Sequence, residues 1–265
     1  MGKSLQLVVC GAAGRMGQAV LRLAMEDSEL SIAAALVRPG NEPDPAARSI
    51  QPGFSYTTAA PKDLRADVLV DFSGSSGFDA ALDLARARRL ALVSGSTGLS
   101  EAQRSAMQRA SAEVPVLWAA NFSAGIAVLA HLVEQAARLL PDWDCEIIEA
   151  HHRHKRDAPS GTALMLGERS RQARGSLQGD AAIDRSGPRQ DGSVGYAVIR
   201  AGDIVGEHEV RLAGPGERVE LIHRASDRDV FARGALRAAR WLAGQKPGVY
   251  SMADALGLTA APDSR

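Results

Sequence analysis

The chain has almost no cysteine. Cys10 and Cys145 are the only two in 265 residues, and each lies in an apolar, strand-like stretch where a reduced thiol behaves as a small hydrophobe. No chemistry is assigned to them. Net charge is also absent: Lys plus Arg and Asp plus Glu number 31 each. No global field therefore draws a nucleic acid or a membrane surface, and any anionic partner must be met by a local cluster. Long hydrophobic runs are missing too. Leu5 to Cys10, preceded by the single basic residue Lys3, is too short for a signal-peptide core or a membrane span, so a cytoplasmic location is the default expectation. There is no internal repeat and no low-complexity tract, and the balance of 45% apolar to 23% charged residues excludes disorder, collagen and coiled coil.

What is present reads as α/β. At 265 residues the chain can form two modest domains, each with its own core. Strand-like runs (Leu5 to Cys10, Ile32 to Val37, Val68 to Phe72, Leu90 to Ser94, Val116 to Ala119) alternate with helical patterns (Met16 to Met25, Phe78 to Arg88, Glu101 to Ala112). Such alternation predicts βαβ units, a parallel sheet with helices on both faces, and ligands at the carboxyl ends of the strands. From Asn121 the texture changes. A long helical pattern, Ile126 to Leu140, leads into the strand-like Cys145 to Ala150, a glycine- and charge-rich stretch, Gly175 to Gly192, expected to be a mobile loop, and three runs at Tyr196 to Arg200, Glu207 to Ala213 and Arg218 to His223. These predict a smaller α+β unit with an antiparallel or mixed sheet. Phe231 to Leu242 returns to helical periodicity, and the tail from Leu258 to Arg265 is expected to be loose.

Leu5 to Cys10 runs directly into Gly11-Ala12-Ala13-Gly14-Arg15-Met16-Gly17 and then a helix. Gly11 and Gly14 permit a tight turn and close approach to a pyrophosphate at the helix N-terminus, and Gly17 permits close packing. The spacing is GxxGxxG rather than GxGxxG, so its meaning depends on the flanking strand and helix. At the second strand end, about 20 residues on, an acid ordinarily meets the adenosine ribose and a base meets a 2′-phosphate. Val37 and Arg38 stand there. Arg38 is either a solvated arginine beside the Pro39-Gly40 turn or a sign of NADPH. Two further clusters, Asp71-Phe72-Ser73-Gly74-Ser75 and Ser94-Gly95-Ser96-Thr97-Gly98, follow candidate strands where a ligand-facing rim is expected.

The densest chemistry is Glu149-Ala-His151-His152-Arg153-His154-Lys155-Arg156-Asp157-Ala-Pro159-Ser160-Gly161-Thr162. Three readings compete. A metal site is opposed by Arg153, Lys155 and Arg156 and by the divergence of adjacent His151 and His152 on a strand. A solvated basic loop is the bland alternative. The third is an anionic-substrate site: Ser160, Gly161 and Thr162 open a helix whose free N–H groups suit a carboxylate, basic side chains precede it, and histidine, with an ordinary pKa of about 6.5, suits proton delivery.

These residues resemble the 4-hydroxy-tetrahydrodipicolinate (dihydrodipicolinate) reductases of lysine synthesis. The resemblance rests on Gly11 to Gly17, Asp71 to Ser73, Gly95 to Gly98, Ala120-Asn121-Phe122-Ser-Ala-Gly125, Glu149 to Thr162 and Arg200 to His208. It implies NAD(P)H-dependent reduction of 4-hydroxy-tetrahydrodipicolinate, or of the dihydrodipicolinate formed from it, to tetrahydrodipicolinate. It further implies a Rossmann-type dinucleotide-binding domain over 1–122, to which 232–265 return, a substrate and oligomerisation domain over 123–231 with a mixed sheet, and a homotetramer. Carried over residue by residue, His151 and Lys155 match the proposed acids, Lys155 also contacting substrate. His152, Ser160, Gly161 and Thr162 match substrate positions. Gly11 to Met16, Arg38, Phe72, Ser73, Gly95 to Thr97 and Ala120 to Phe122 match cofactor positions. The substrate is a small dicarboxylate, and no metal is implied. Many relatives carry a glutamate where Val37 stands, so NADPH is the expected reductant and NADH the alternative. The rivals are a dehydrogenase of another small carboxylate and a nucleotide-sensing protein without turnover.

Overall fold

The computed structural model describes residues 4–41, 55–175, 181–182 and 186–259. Contacts divide the chain into two units, Met1–Ala124 together with Asp229–Arg265, and Gly125–Arg228.

The first unit is built on strands β1 (Leu5–Cys10), β2 (Leu30–Leu36), β3 (Tyr56–Thr57), β4 (Val68–Asp71), β5 (Ala91–Ser94) and β6 (Pro115–Trp118), with helices α1 (Arg15–Met25), α2 (Ser75–Arg88) and α3 (Glu101–Ala110) between them. Strands β4 and β5 are buried at every position, as expected for a parallel sheet covered on both faces. Every pair in the seven-stranded sheet is parallel, and its order is β3-β2-β1-β4-β5-β6 followed by a last edge strand. That order reverses between β1 and β4, which opens a crevice at the carboxyl ends of those strands. Helix α3 is closed by a capping box in which Ser100 accepts from the Gln103 N–H and Gln103 accepts from the Ser100 N–H, worth about 1 kcal/mol.

The second unit begins one residue into α4 (Ala124–Leu139) and continues through β7 (Asp144–His151), α5 (Gly161–Ala173), β8 (Ala181–Ala182), β9 (Val194–Arg200), β10 (Gly206–Gly214) and β11 (Glu217–Ala225). Its five-stranded sheet runs β11-β10-β7-β9-β8, with β7 parallel to β9 and antiparallel to β10. The sheet is thus mixed, and β9 and β10, though consecutive, are separated by β7. One face is dry: Ile126, Leu129 and Val133 of α4 and Ala163 and Leu166 of α5 pack on Cys145, Ile147, Val210 and Leu212. Gly167 lets α5 lie close, because a Cβ there would come within 1.9 Å of the Tyr196 hydroxyl. The chain then re-enters the first unit as α6 (Asp229–Leu242), β12 (Gly248–Tyr250), which pairs with β6, and α7 (Met252–Ala255). Gly234 seats α6 against the first unit, where a Cβ would come within 1.7 Å of the Phe122 carbonyl oxygen.

Two expectations are corrected. The stretch from Gly175 to Gly192 is not simply a mobile loop: Ala181–Ala182 forms an edge strand on β9. Arg189 also pins it, donating to the Ser193 carbonyl at 2.6 Å and pairing with Asp144 at 2.7 Å; residues 176–180 and 183–185 lie outside the described part. In the tail, Leu258 donates to the Ala253 carbonyl at 2.9 Å and Thr259 to Asp254 at 2.7 Å, so both are held, whereas 260–265 lie outside the described residues. The short strands β3, β8 and β12 and helix α7 had no periodic signal to announce them; two- and three-residue strands exist because a neighbour supplies the ladder.

Candidate active site

In the first unit the turn from β1 to α1 is shaped by what its glycines lack. Gly11 has φ +71°, a left-handed conformation that costs an L-residue about 1–2 kcal/mol. A Cβ on it would lie 2.5 Å from the Phe72 carbonyl oxygen. Gly17, inside α1, would drive a Cβ to 2.3 Å from the Gly11 carbonyl oxygen. Gly14 is the N-cap of α1; no side chain caps this helix and no acid stands in its first turn, so its positive end and unbonded N–H groups face outward.

The turn opens on a cleft enclosing about 300 Å³, lined among others by Gly11, Ala13, Gly14, Arg38, Phe72 and Ser73. The opposite wall is α2, whose Gly77, Ala80, Ala81 and Leu84 also line it; these were not foreseen, although the small-residue spacing along α2 is a readable signal. Arg38 follows β2 and donates to the Ser76 Oγ at 2.7 Å across the cleft. The fit to a dinucleotide phosphate is thus direct: an uncapped helix start, a backbone turn without side chains, and one fixed guanidinium.

Beneath the rim, the buried carboxylate of Asp71 accepts from the Ser73 N–H and hydroxyl and from the hydroxyls of Ser94 and Ser96, at 2.5 to 2.9 Å. Ser96 in turn accepts from the Gly74 N–H at 2.9 Å. The loops after β4 and β5 are thereby fastened together. Gly95 is required there too, since a Cβ would enter the Phe72 ring at 2.2 Å. Phe72 meets Phe122 edge-on, with ring centroids 5.7 Å apart. Arg15 and Met16 begin α1, Gly95 to Thr97 follow β5, and Ala120 to Phe122 follow β6. All stand at the carboxyl side of the sheet but outside the lining of this cleft. Ser96 and Phe122 are buried and serve the frame; Asn121 accepts from the Ser123 N–H at 2.8 Å.

In the second unit the histidine segment is organised around Glu149, which is 1% exposed. Residues 149 and 151 share one face of β7 because side chains alternate along a strand. The His151 Nδ1 lies 2.6 Å from Glu149 Oε2. Arg200, opposite His151 in the parallel register, grips both Glu149 oxygens at 2.7 and 2.8 Å. The Ser160 N–H donates to Oε1 at 2.9 Å. Burial alone would raise the Glu149 carboxyl, but the bonds from Arg200, His151 and Ser160 outweigh it and hold it below its ordinary value. For His151 the balance goes the other way: burial pushes it down, Glu149 pushes it up, Lys155 and Arg200 push it down, and the net direction is down.

Ser160 is the N-cap of α5, its Oγ accepting from the Ala163 N–H at 3.2 Å. The same Oγ lies 3.2 Å from the Nε2 of His208, whose ring meets that of His151 edge-on at 5.1 Å. No acid occupies the first turn of α5, and a Cβ at Gly161 would meet nothing within 4 Å, so this helix start is open to a small anion. Thr162 is its second residue. Lys155 lies beyond the strand and pairs with Asp157 at 2.9 Å. His152 stands just past β7, its ring 6.3 Å from that of His154. The structure therefore gathers His151 and Ser160 around one carboxylate and leaves Gly161 and Thr162 at the adjoining helix start. Glu149, Arg200 and His208 were not singled out as site residues. The spacing of 149 and 151 was readable; the register that brings Arg200 and His208 to them was not.

Residues 5–122 match the family described as dihydrodipicolinate reductase, N-terminus, and residues 125–256 the family described as dihydrodipicolinate reductase, C-terminus. The chain belongs to the dihydrodipicolinate reductase family. Relatives named 4-hydroxy-tetrahydrodipicolinate reductase include one from Stenotrophomonas maltophilia, 50% identical over 95% of this chain and 98% of its own. Another, from Xylella fastidiosa, is 48% identical over 96% and 99%. Among solved structures, a dipicolinate-bound dihydrodipicolinate reductase from Paenisporosarcina sp. TG-14 shares the fold, with a TM-score of 0.75 at 22% identity over 94% of this chain and 97% of that one. Membership in this reductase family thus agrees with the strand order and with a site rich in cations and histidine.

Proposed function

We propose that this protein reduces 4-hydroxy-tetrahydrodipicolinate, by way of dihydrodipicolinate, to tetrahydrodipicolinate in the diaminopimelate route to lysine. The observation that carries the reading is the Glu149-centred cluster beside the open start of α5: a buried, oriented histidine next to an anion-accepting helix end with Lys155 nearby. A dicarboxylate suits such a place. In this assignment Ser160, Gly161 and Thr162 with His152 and Lys155 hold the substrate carboxylates, and His151 delivers the proton.

A dinucleotide held at the glycine turn of the first unit would supply a hydride from its nicotinamide. The conjugated imine that receives it becomes an anionic enamine, and His151 hands a proton to that enamine and is left as neutral imidazole. Such a donor contributes about 10² to 10⁴ in rate. The first unit is assigned cofactor holding through Gly11 to Met16, Phe72, Ser73, Gly95 to Thr97 and Ala120 to Phe122. NADPH is the favoured reductant: Val37 offers no carboxylate to a ribose 2′-hydroxyl, and Arg38, aimed by Ser76, suits a 2′-phosphate. The second unit is also assigned assembly into a homotetramer, through the sheet face opposite α4 and α5, where Ile199 and Ile222 are about half exposed.

The deciding experiment follows NADPH oxidation with freshly generated substrate. Turnover dependent on that substrate is expected, with kcat/KM higher for NADPH than for NADH. Absence of turnover with good NADPH binding supports a nucleotide-sensing protein instead, and equal use of NADH ends the cofactor preference. Lys155→Ala is expected to raise KM as well as lower kcat. Light scattering in solution reads the assembly.

A further inference from the structure

A carboxylate as deeply buried as Glu149 stays charged only where donors surround it, and here every donor belongs to a different part of the second unit. Arg200 comes from β9, the Ser160 N–H from the start of α5, and His151 from two residues along β7 itself. With Arg200 a permanent cation on both oxygens, Glu149 is an acceptor only, so the short contact at 2.6 Å requires the proton on the Nδ1 of His151. The remaining nitrogen, Nε2, faces Gly206. A Cβ at that position would lie 3.2 Å from Nε2 and 3.4 Å from the adjoining ring carbon, so glycine there keeps a side chain off this edge of the ring. A neutral ring is thereby held in one tautomer, and any proton it takes up lands on Nε2.

We propose that Glu149 is a positioning residue for the reduction: it fixes His151 with Nδ1 protonated and Nε2 presented at the Gly206 edge, and by the same two oxygens locks that ring to the helix start that receives the substrate. The proposal rests on the proton-donor reading of His151. It extends that reading by naming the nitrogen that carries the proton and the group that decides it. Glu149 touches no reacting atom; its effect passes wholly through His151 and Ser160.

The charged and titratable groups facing His151 are Glu149 on β7, Arg200 on β9, His208 on β10 and Lys155 in the segment after β7; His223 on β11 lies opposite His208 in register. Among them only Glu149 stabilises the imidazolium. Since the acid form is required, kcat/KM falls as pH rises through the His151 value, and removing the carboxylate must move that alkaline limb toward lower pH.

Glu149→Gln, which keeps the shape and removes the charge, is expected to lower kcat/KM about 10²-fold and to shift the limb acidward. Glu149→Asp is expected to recover part of the rate with the limb near its wild-type position. A purely structural role would lower the rate in both with no shift, and an unmoved limb in Glu149→Gln overturns the proposal. Should that variant fail to fold, the wild-type protein still decides. The ¹⁵N signals of His151, assigned by loss in His151→Gln, are expected to show Nδ1 protonated and Nε2 bare at pH 8. The opposite tautomer, or a mixture, overturns the proposal. The ¹⁵N readout needs no turnover, so it stands or falls separately from the substrate assignment.

Discussion

The cleft in the first unit and the histidine cluster in the second solve opposite problems with opposite means. The cleft is made by subtraction: Gly11, Gly14 and Gly17 remove side chains so that backbone can turn, pack on Phe72 and expose the free end of α1. The cluster is made by addition, a full charge at Glu149 buried and then answered by Arg200, His151 and the Ser160 N–H. A site made from backbone tolerates change only where no Cβ intrudes. A site made from a buried charge fails when any one partner is lost, because the others are left unpaired. The first is therefore a steric specification and the second an electrostatic one.

The sharpest way to separate them begins with His151→Gln. It should lower kcat by about 10² to 10⁴ while leaving NADPH affinity, measured by fluorescence titration, unchanged; a parallel loss of cofactor binding would erase the distinction between the two sites. Gly11→Ala is the converse. Strain at φ +71° and the 2.5 Å approach to the Phe72 carbonyl should together cost about 2 to 4 kcal/mol in urea unfolding, with weakened NADPH binding.

Smaller still, Arg38→Ala should raise KM for NADPH about tenfold to a hundredfold, equivalent to about 1.5 to 3 kcal/mol for a charge-assisted bond, with little change for NADH. An equal effect on both cofactors would show that Arg38 does not read the 2′-phosphate.

The last test is electrostatic. Burial, aided by the His151 charge, pushes His208 down to about 4 from its ordinary 6.5. Between those values the unfolded chain takes up a proton that the folded chain refuses. The stability that neutral His208 contributes is present in full above pH 6.5 and is lost as pH falls toward 4. The loss should be about 1 to 3 kcal/mol, read from urea midpoints. His208→Gln should flatten that slope, whereas a slope identical to wild type would place the acid sensitivity elsewhere.

Much of the fold was legible. The buried apolar runs of β1, β4 and β5 announce a doubly covered parallel sheet, and the helices α1, α2 and α4 follow their periodicities to within a few residues. The edge strands β3, β8 and β12 were illegible because two or three residues have no period of their own. In the first site the glycine turn was readable, and so was the small-residue pattern of α2, but nothing in the chain order says which helix closes a cleft. In the second, the block from Glu149 to Thr162 stands out by composition alone, and that composition points to the histidines as its centre. The acid that organises them carries no special mark until its burial is known.

Where the glycines fall, which of the longer stretches are strand and helix, and the concentration of histidine, cation and helix start in one segment are local properties, set by residues near one another in the chain. That Arg200 lies opposite His151, that the His208 ring meets His151 edge-on and that Glu149 bonds to His151, Arg200 and the Ser160 N–H follows from the tertiary structure alone. Strand order and register set those meetings, and register is fixed by the packing of a whole sheet rather than by any local preference.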